Sequence, residues 1–404
     1  STASMSFVVD EDNMSSNSAT KVPTQQSVKA YVDSEVAGAG GGVTIQDEGS
    51  SLSTTATTIN FVGSNVTASG TGATKTITIS DDVTTDNGGN TFAGNNAGSS
   101  LQSGGYSNTA IGDRAGQSIS TGDRNNLIGY YAGEKITSGE ANNCFGANAG
   151  ESITTSWGNN FFGYYAGSST TANTNNGYGH FALKECTTGT NNVAIGHNSA
   201  LNVTTGTENV AVGNQAFETA TTATSSVAVG YQALENVTTG DFNVGVGHRV
   251  LESLTSGEFN VAGGRRALAS ITDDNYNTAF GNIALAACTT SGNTAVGHGA
   301  LAFQTSGSSN TALGYNAGYA ITTGYSNTVI GNNAGEDLTT GNSNILIGSD
   351  CMKNVTTSNK NVVLGYDTFA TATGNPSENA VLGNEAAKNC TGNKNVCIGF
   401  RAME

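Results

Sequence analysis

No run of about eighteen apolar residues occurs in this chain, which excludes a membrane-spanning helix. Charge is scarce at 11% of residues and unbalanced, with 31 acidic against 15 basic side chains. The resulting net charge of −16 argues against nucleic acid as a ligand. Pro occurs twice and Trp once, whereas Gly occurs 55 times and Asn, Ser and Thr are abundant. Such a chain turns constantly and buries small side chains. Sparse charge and plentiful Gly would suit a disordered polymer, but apolar residues recur at a fixed period, which requires stacked order. No initiator Met or signal peptide opens the chain at Ser1, and Phe400-Arg-Ala-Met-Glu404 stops inside a repeat. The expectation is a fragment or a processed product.

What is present is one sentence of seventeen residues, as in Asn327-Thr-Val-Ile-Gly-Asn-Asn-Ala-Gly-Glu-Asp-Leu-Thr-Thr-Gly-Asn-Ser343, repeated from Asn90 to the end. There are nineteen starts, thirteen of the eighteen spacings are 17, and none differs by more than one. Slot 1 is Asn in every copy except at Ser226, and slot 5 is Gly from Gly94 to Gly399. Slot 3 is usually Ala, slot 4 is branched or aromatic except at Ala93 and Gly263, and slot 8 is Ala in fifteen copies. Slot 12 is often apolar, as at Ile119 and Leu338, and a Thr-Thr-Gly or Thr-Ser-Gly turn commonly follows.

A unit this short cannot bury a hydrophobic face alone, so the copies stack and share one interior. The fold class expected is all-β, a parallel β-roll or β-solenoid of about nineteen coils, each with two short strands and two turns. The slot 4 column is expected to climb the inside, and Gly263 then predicts a local cavity or bend. The six Cys occupy small-residue slots: Cys186, Cys288 and Cys390 near slot 12, Cys144 and Cys397 in slot 3, and Cys351 in slot 8. They read as buried free thiols, which suits folding in a reducing compartment.

Residues 1–42 form an N-terminal segment in which Pro23 and Thr24 can start a helix. Val28, Tyr31, Val32 and Val36 recur there at helical spacing, a face too narrow to be stable alone, so it is expected to dock on copies of itself before the Gly-rich linker Gly38 to Gly42. Residues 43–89 hold a small β module of three or four strands, including Thr58-Ile-Asn-Phe-Val62 and Lys75-Thr-Ile-Thr-Ile79, and a lead into the shaft, residues 90–404.

Three places could carry chemistry. Slot 6 holds all four His (His180, His197, His248 and His298) together with Tyr130, Tyr164, Tyr231, Tyr315 and Tyr366. His180 and His197 lie in consecutive coils and could share a metal, the column could close an edge or a protomer contact, or its rings and amides could hold a sugar. Slot 10 stacks Glu218, Glu235 and Glu252, which either splay into solvent or are bridged by a hard cation such as Ca²⁺. Trp157 stands in a turn slot that is usually small, a candidate contact with a ligand or another protomer. A uniform ladder offers no unequal carboxylate pair, no dinucleotide fingerprint and no regular Asp for a calcium-binding nonapeptide. No catalytic residue, cofactor or firm metal site is expected.

The blocks Val22-Pro-Thr-Gln-Gln-Ser-Val-Lys-Ala-Tyr-Val-Asp33, Val43-Thr-Ile-Gln-Asp-Glu-Gly and Gly70-Thr-Gly-Ala-Thr-Lys-Thr-Ile-Thr-Ile79 resemble segments of tail-fibre proteins of marine phages. The Asn-x-Ala-Ile-Gly core resembles the β-roll head of trimeric autotransporter adhesins, in which three chains pack side by side, although the adhesin repeat is shorter and lacks the Thr-Thr-Gly extension. The adhesin's membrane anchor and the self-cleaving chaperone that often follows fibre repeats are not in this sequence. The resemblance implies a homotrimeric, non-enzymatic virion tail fibre, its chaperone cut away, that displays a repetitive surface to a host-cell glycan or protein. Its other partners would be fibre or baseplate proteins. A cellular trimeric adhesin or extracellular filament is the alternative, and a polysaccharide depolymerase a third that would need a deep groove with a close carboxylate pair.

Overall fold

The computed structural model describes residues 8–9, 22–38, 46–47, 50–51, 66–69, 76–79, 83–85, 88–102, 104–372 and 374–403. They fall into two compact units, Ser1–Ser80 and Asp81–Glu404.

In the larger unit each repeat contributes one three-residue strand, nineteen in all from Thr91–Ala93 to Val396–Ile398. Each strand pairs in parallel with the equivalent strand of the next coil, as Val193, Ala194 and Ile195 do with Val210, Ala211 and Val212. Parallel pairing needs no helical crossover here, because the partner is simply the next turn of the chain. The ladder is linear: Val83–Thr85 pairs antiparallel on its first strand, and Val396–Ile398 pairs with Ala380–Leu382 at its end. At about 4.8 Å per step, nineteen strands run roughly 86 Å. The fold class is therefore the all-β parallel solenoid read from the repeat.

Two sequence expectations are corrected. The second strand of each coil does not form. Slots 5, 7, 9 and 17 have positive φ, as at Gly213 (139°), Gln215 (57°), Phe217 (58°) and Ser225 (52°), and the residues between slots 9 and 17 run through turns and bends without a second strand ladder. The slot 12 segment is instead tied coil to coil through turn backbone, as where Thr204 N donates to Thr221 O at 2.9 Å.

The second correction concerns slot 4, which faces outward. Slot 3 is the buried strand position, occupied by Leu127, Phe161, Ala211 and Val329, while Ile111, Ile195, Val246 and Leu313 in slot 4 are 40–49% exposed. The cause is the Asn in slot 1. Asn125 Oδ1 accepts from Asn142 N at 3.0 Å and from Asn142 Nδ2 at 3.1 Å, and Asn125 Nδ2 donates to Gly139 O at 2.8 Å. That amide ladder must lie inside to reach these groups, and with a period of two it takes slot 3 inward with it and turns slots 2 and 4 out. Gly263 accordingly opens no core cavity. Its missing side chain makes room on the outer face for the ring of Phe280, whose Cδ1 would lie 2.7 Å from an added Cβ.

The core is filled by slots 3, 8, 9 and 12, and all six Cys are buried free thiols, as read from their slots. Desolvation pushes Cys186 and Cys351 up to about 12, so these thiols are poor nucleophiles. Slot 5 must be Gly: at φ 134° an added Cβ on Gly112 would sit 2.5 Å from the carbonyl oxygen of Gly129 in the next coil.

In the smaller unit, the helix Gln25–Gly38 starts where expected, with Thr24 Oγ1 accepting from Ser27 N at 3.0 Å as an N-cap. Val28, Tyr31 and Val32 are exposed on it. Val8–Val9 pairs with Val22–Pro23, and the β module contributes two antiparallel pairs, Gln46–Asp47 with Ser50–Ser51 and Val66–Ser69 with Thr76–Ile79. The strand expected at 58–62 lies outside the described residues.

Candidate functional site

The solenoid offers columns of side chains that follow from the parity set by the buried Asn. Slots 2 and 4 form an outward strand face. In slot 4, Phe145, Phe162 and Tyr178 stack at centroid distances of 4.7 and 4.9 Å, and Ile195, Val246, Phe280, Leu313, Ile347 and Leu382 continue the column exposed. Slot 2 changes character along the axis. Asn126, Asn143, Asn160 and Asn176 form an amide ladder at 2.6–2.8 Å, followed by Val193 to Val261, Thr278 to Thr328, and Ile345 and Val362.

On one side of this face runs the slot 6 column. Tyr130, Tyr164, His180, His197, Tyr231 and Tyr315 all stand in it and are all exposed. Tyr164, His180 and His197 form a pile with centroids 5.1 Å apart at each step, Tyr231 stacks on His248 at 5.2 Å, and His298 stacks on Tyr315 at 5.3 Å. Tyr130 lies edge-on to Tyr131, whose hydroxyl holds the Tyr130 phenol above its usual value. Among the described residues no group of three or more His, Cys, Asp or Glu is placed to hold a metal ion.

The slot 10 carboxylates neither splay free nor converge. Each takes a partner from slot 7: Gln215 Nε2 donates to Glu218 at 2.9 Å, Gln232 Nε2 to Glu235 at 2.9 Å, and Arg249 Nε lies 3.6 Å from Glu252. Glu218 also accepts from Asn198 Nδ2 at 2.9 Å. Partial burial, with Glu218 and Glu252 on either side, raises the pKa of Glu235.

The other side of the strand face is a turn edge built from slots 16 and 17. Trp157 stands there, 54% exposed, and it has company the sequence reading missed: Tyr106, Tyr325 and a stack of Phe242, Phe259 and Tyr276 at 5.0 and 5.4 Å. These rings are scattered in sequence and gather only once the period is known to be a stacking step. Along the same edge a furrow of about 340 Å³ crosses four coils between Tyr325 and Glu378. It has one carboxylate in its lining, so the close pair a depolymerase requires is not assembled there. Asp273 and Asp274, on turn slots of the same edge, accept hydrogen bonds from Thr272 and Ser291 respectively.

No family model, curated protein or solved structure matches the chain. The chemistry of the surface gives it two capacities. It can pack against a long complementary face, and it can present aromatic rings and amides at a fixed step.

Proposed function

We propose that the protein is a structural and adhesive fibre in which three copies pack their outward strand faces together and display their edges to a target. The outward face of slots 2 and 4, with its exposed apolar slot 4 column, carries this reading. Nineteen coils at about 4.8 Å and a width of roughly 10 Å give on the order of 850 Å² per chain. That footprint is comparable with the ~800 Å² per partner of a stable interface. A second copy is the natural cover, because the same face on another chain has the same step. The exposed Val28, Tyr31 and Val32 of the helix ask for company in the same way.

The number three rests on the resemblance of the Asn-x-Ala-Ile-Gly core to trimeric adhesin heads, and the virion setting on the tail-fibre-like blocks near the N-terminus. The function is then attachment to a repetitive host surface, with weak sites multiplied by threefold display. Light scattering on the purified chain tests the reading. The expected mass is three times 40.7 kDa. Lys at Ile195 and Val246 together should shift the population to single chains. A wild-type monomer at micromolar concentration would refute the packed fibre.

A further inference from the structure

The furrow on the turn edge has a chemistry of its own, independent of how chains assemble. It is polar and stepped: Tyr325 at one end, Asn342 and Ser343 in the next coil, Asn359 and Lys360 in the third, Ser377 and Glu378 in the fourth. Its volume of about 340 Å³ lies in the range of small-ligand sites, ~300–1,000 Å³. The Asn side chains are held in place by the backbone, since Asn342 Oδ1 accepts from Tyr325 N at 2.9 Å and Asn359 Oδ1 from Asn342 N at 2.8 Å. Each amide oxygen therefore accepts one backbone N–H, which fixes the side chain's orientation. Asn359 Nδ2 spends one hydrogen on Thr357 O, and Asn342 Nδ2 has no protein acceptor among the described residues. These are oriented amides on residues that line the groove.

Charge singles out the same place. Lys360 in the lining and Lys394 outside it both approach the Glu378 carboxylate, at 3.9 and 3.8 Å, two cations to one anion on a chain of net charge −16. Lys360 is 68% exposed, so its remaining hydrogens are available to a ligand. At the other end the Tyr325 ring is 51% exposed. The lining is mostly polar. Amides, hydroxyls and one bare aromatic ring match the mixed polar and CH faces of a sugar.

We infer that this furrow binds an acidic oligosaccharide, with a sugar ring against Tyr325 and a carboxylate at Lys360. The two residues lie two coils apart, about 10 Å at ~4.8 Å per coil. A pyranose ring advances an extended glycan by nearly one coil, so stacked ring and bound carboxylate belong to units two apart.

The test uses the full chain with a tetragalacturonate and its carboxyl-reduced, neutral counterpart as probes, followed by calorimetry and saturation-transfer NMR. The expected result is saturable binding of the acidic tetramer at least tenfold tighter than the neutral one, weakening as salt rises. Lys360→Gln should abolish that preference, and Tyr325→Ala should weaken both probes about tenfold. Both side chains are exposed, so thermal unfolding of the variants should match the wild type and separates lost binding from lost fold. Equal affinity for the two tetramers, an unchanged preference in Lys360→Gln, tighter binding of an oligoglutamate peptide, or no saturable binding of the tetragalacturonate would each overturn the assignment. Because the measured quantity is affinity per chain, the outcome does not depend on whether three chains assemble.

Discussion

At the scale of single residues, the fold is held by groups whose hydrogen bonds run from coil to coil. Ser226 is the one gap in the slot 1 amide ladder: its N–H donates to Asn209 Oδ1 at 3.0 Å and its Oγ accepts from Asn243 N at 3.1 Å, but it has no amide to reach the turn. Ser226→Asn should add the bonds its neighbours make and stabilise the solenoid by about 1–2 kcal/mol, read as a higher denaturant midpoint. Gly213→Ala should cost about 2–4 kcal/mol, because φ is 139° there and the new Cβ would meet the Gly230 carbonyl. Glu235 gives a pH signature. Its folded pKa is raised, so ionising it near neutral pH works against folding, and the penalty disappears as pH falls through the raised value. Glu235→Gln should therefore raise Tm at pH 7, and the advantage should vanish below the normal titration range of Glu.

At the scale of the coil, the period, the slot 5 Gly, the turn and the buried Cys were all legible in the sequence because each is a strict local pattern. The direction of the strand was not. Slot 4 is the most hydrophobic column, and hydrophobicity alone puts it inside; the buried Asn reverses that, since an amide that caps turn carbonyls and neighbouring N–H groups outweighs one branched side chain per coil. Slot 9 was also invisible as a core position. In some coils slots 3 and 9 trade volume: Gly167 lies under Phe161, and Leu251 packs beside Gly245. Leu251 is buried at φ 52°, a conformation a sequence reading does not assign to Leu. The exchange predicts that Gly245→Ala destabilises by crowding Leu234 and Val250, and that adding Leu234→Ala recovers part of the loss in a double-mutant cycle. The candidate surfaces were half legible: the slot 6 rings form one column that the repeat displays, whereas the aromatic turn edge is spread over two slots and interrupted by small residues.

At the scale of the whole chain, the outward strand face differs in character from one end to the other, from amide ladder to Val, Thr and then Ile. Copies that pack along this face are matched in identity only when in register, so one-coil slips would set Asn176 against Val193 or Val261 against Thr278. Swapping the slot 2 Asn residues 126, 143, 160 and 176 for Val should leave each solenoid folded but broaden the assembled mass distribution in light scattering.

The slot 1 amide ladder also sets the order in which coils can form. Each new Asn N–H is received by the slot 1 side-chain oxygen of the coil before it, Oδ1 of Asn or, for Asn243, Oγ of Ser226, so a coil leaving the ribosome finds its template already in place. Nearly every pairing in the shaft spans 16–18 residues, whatever its position in the chain. The shaft can therefore be laid down in the order of synthesis, without waiting for distant sequence, and its closure entropy is met in small equal steps.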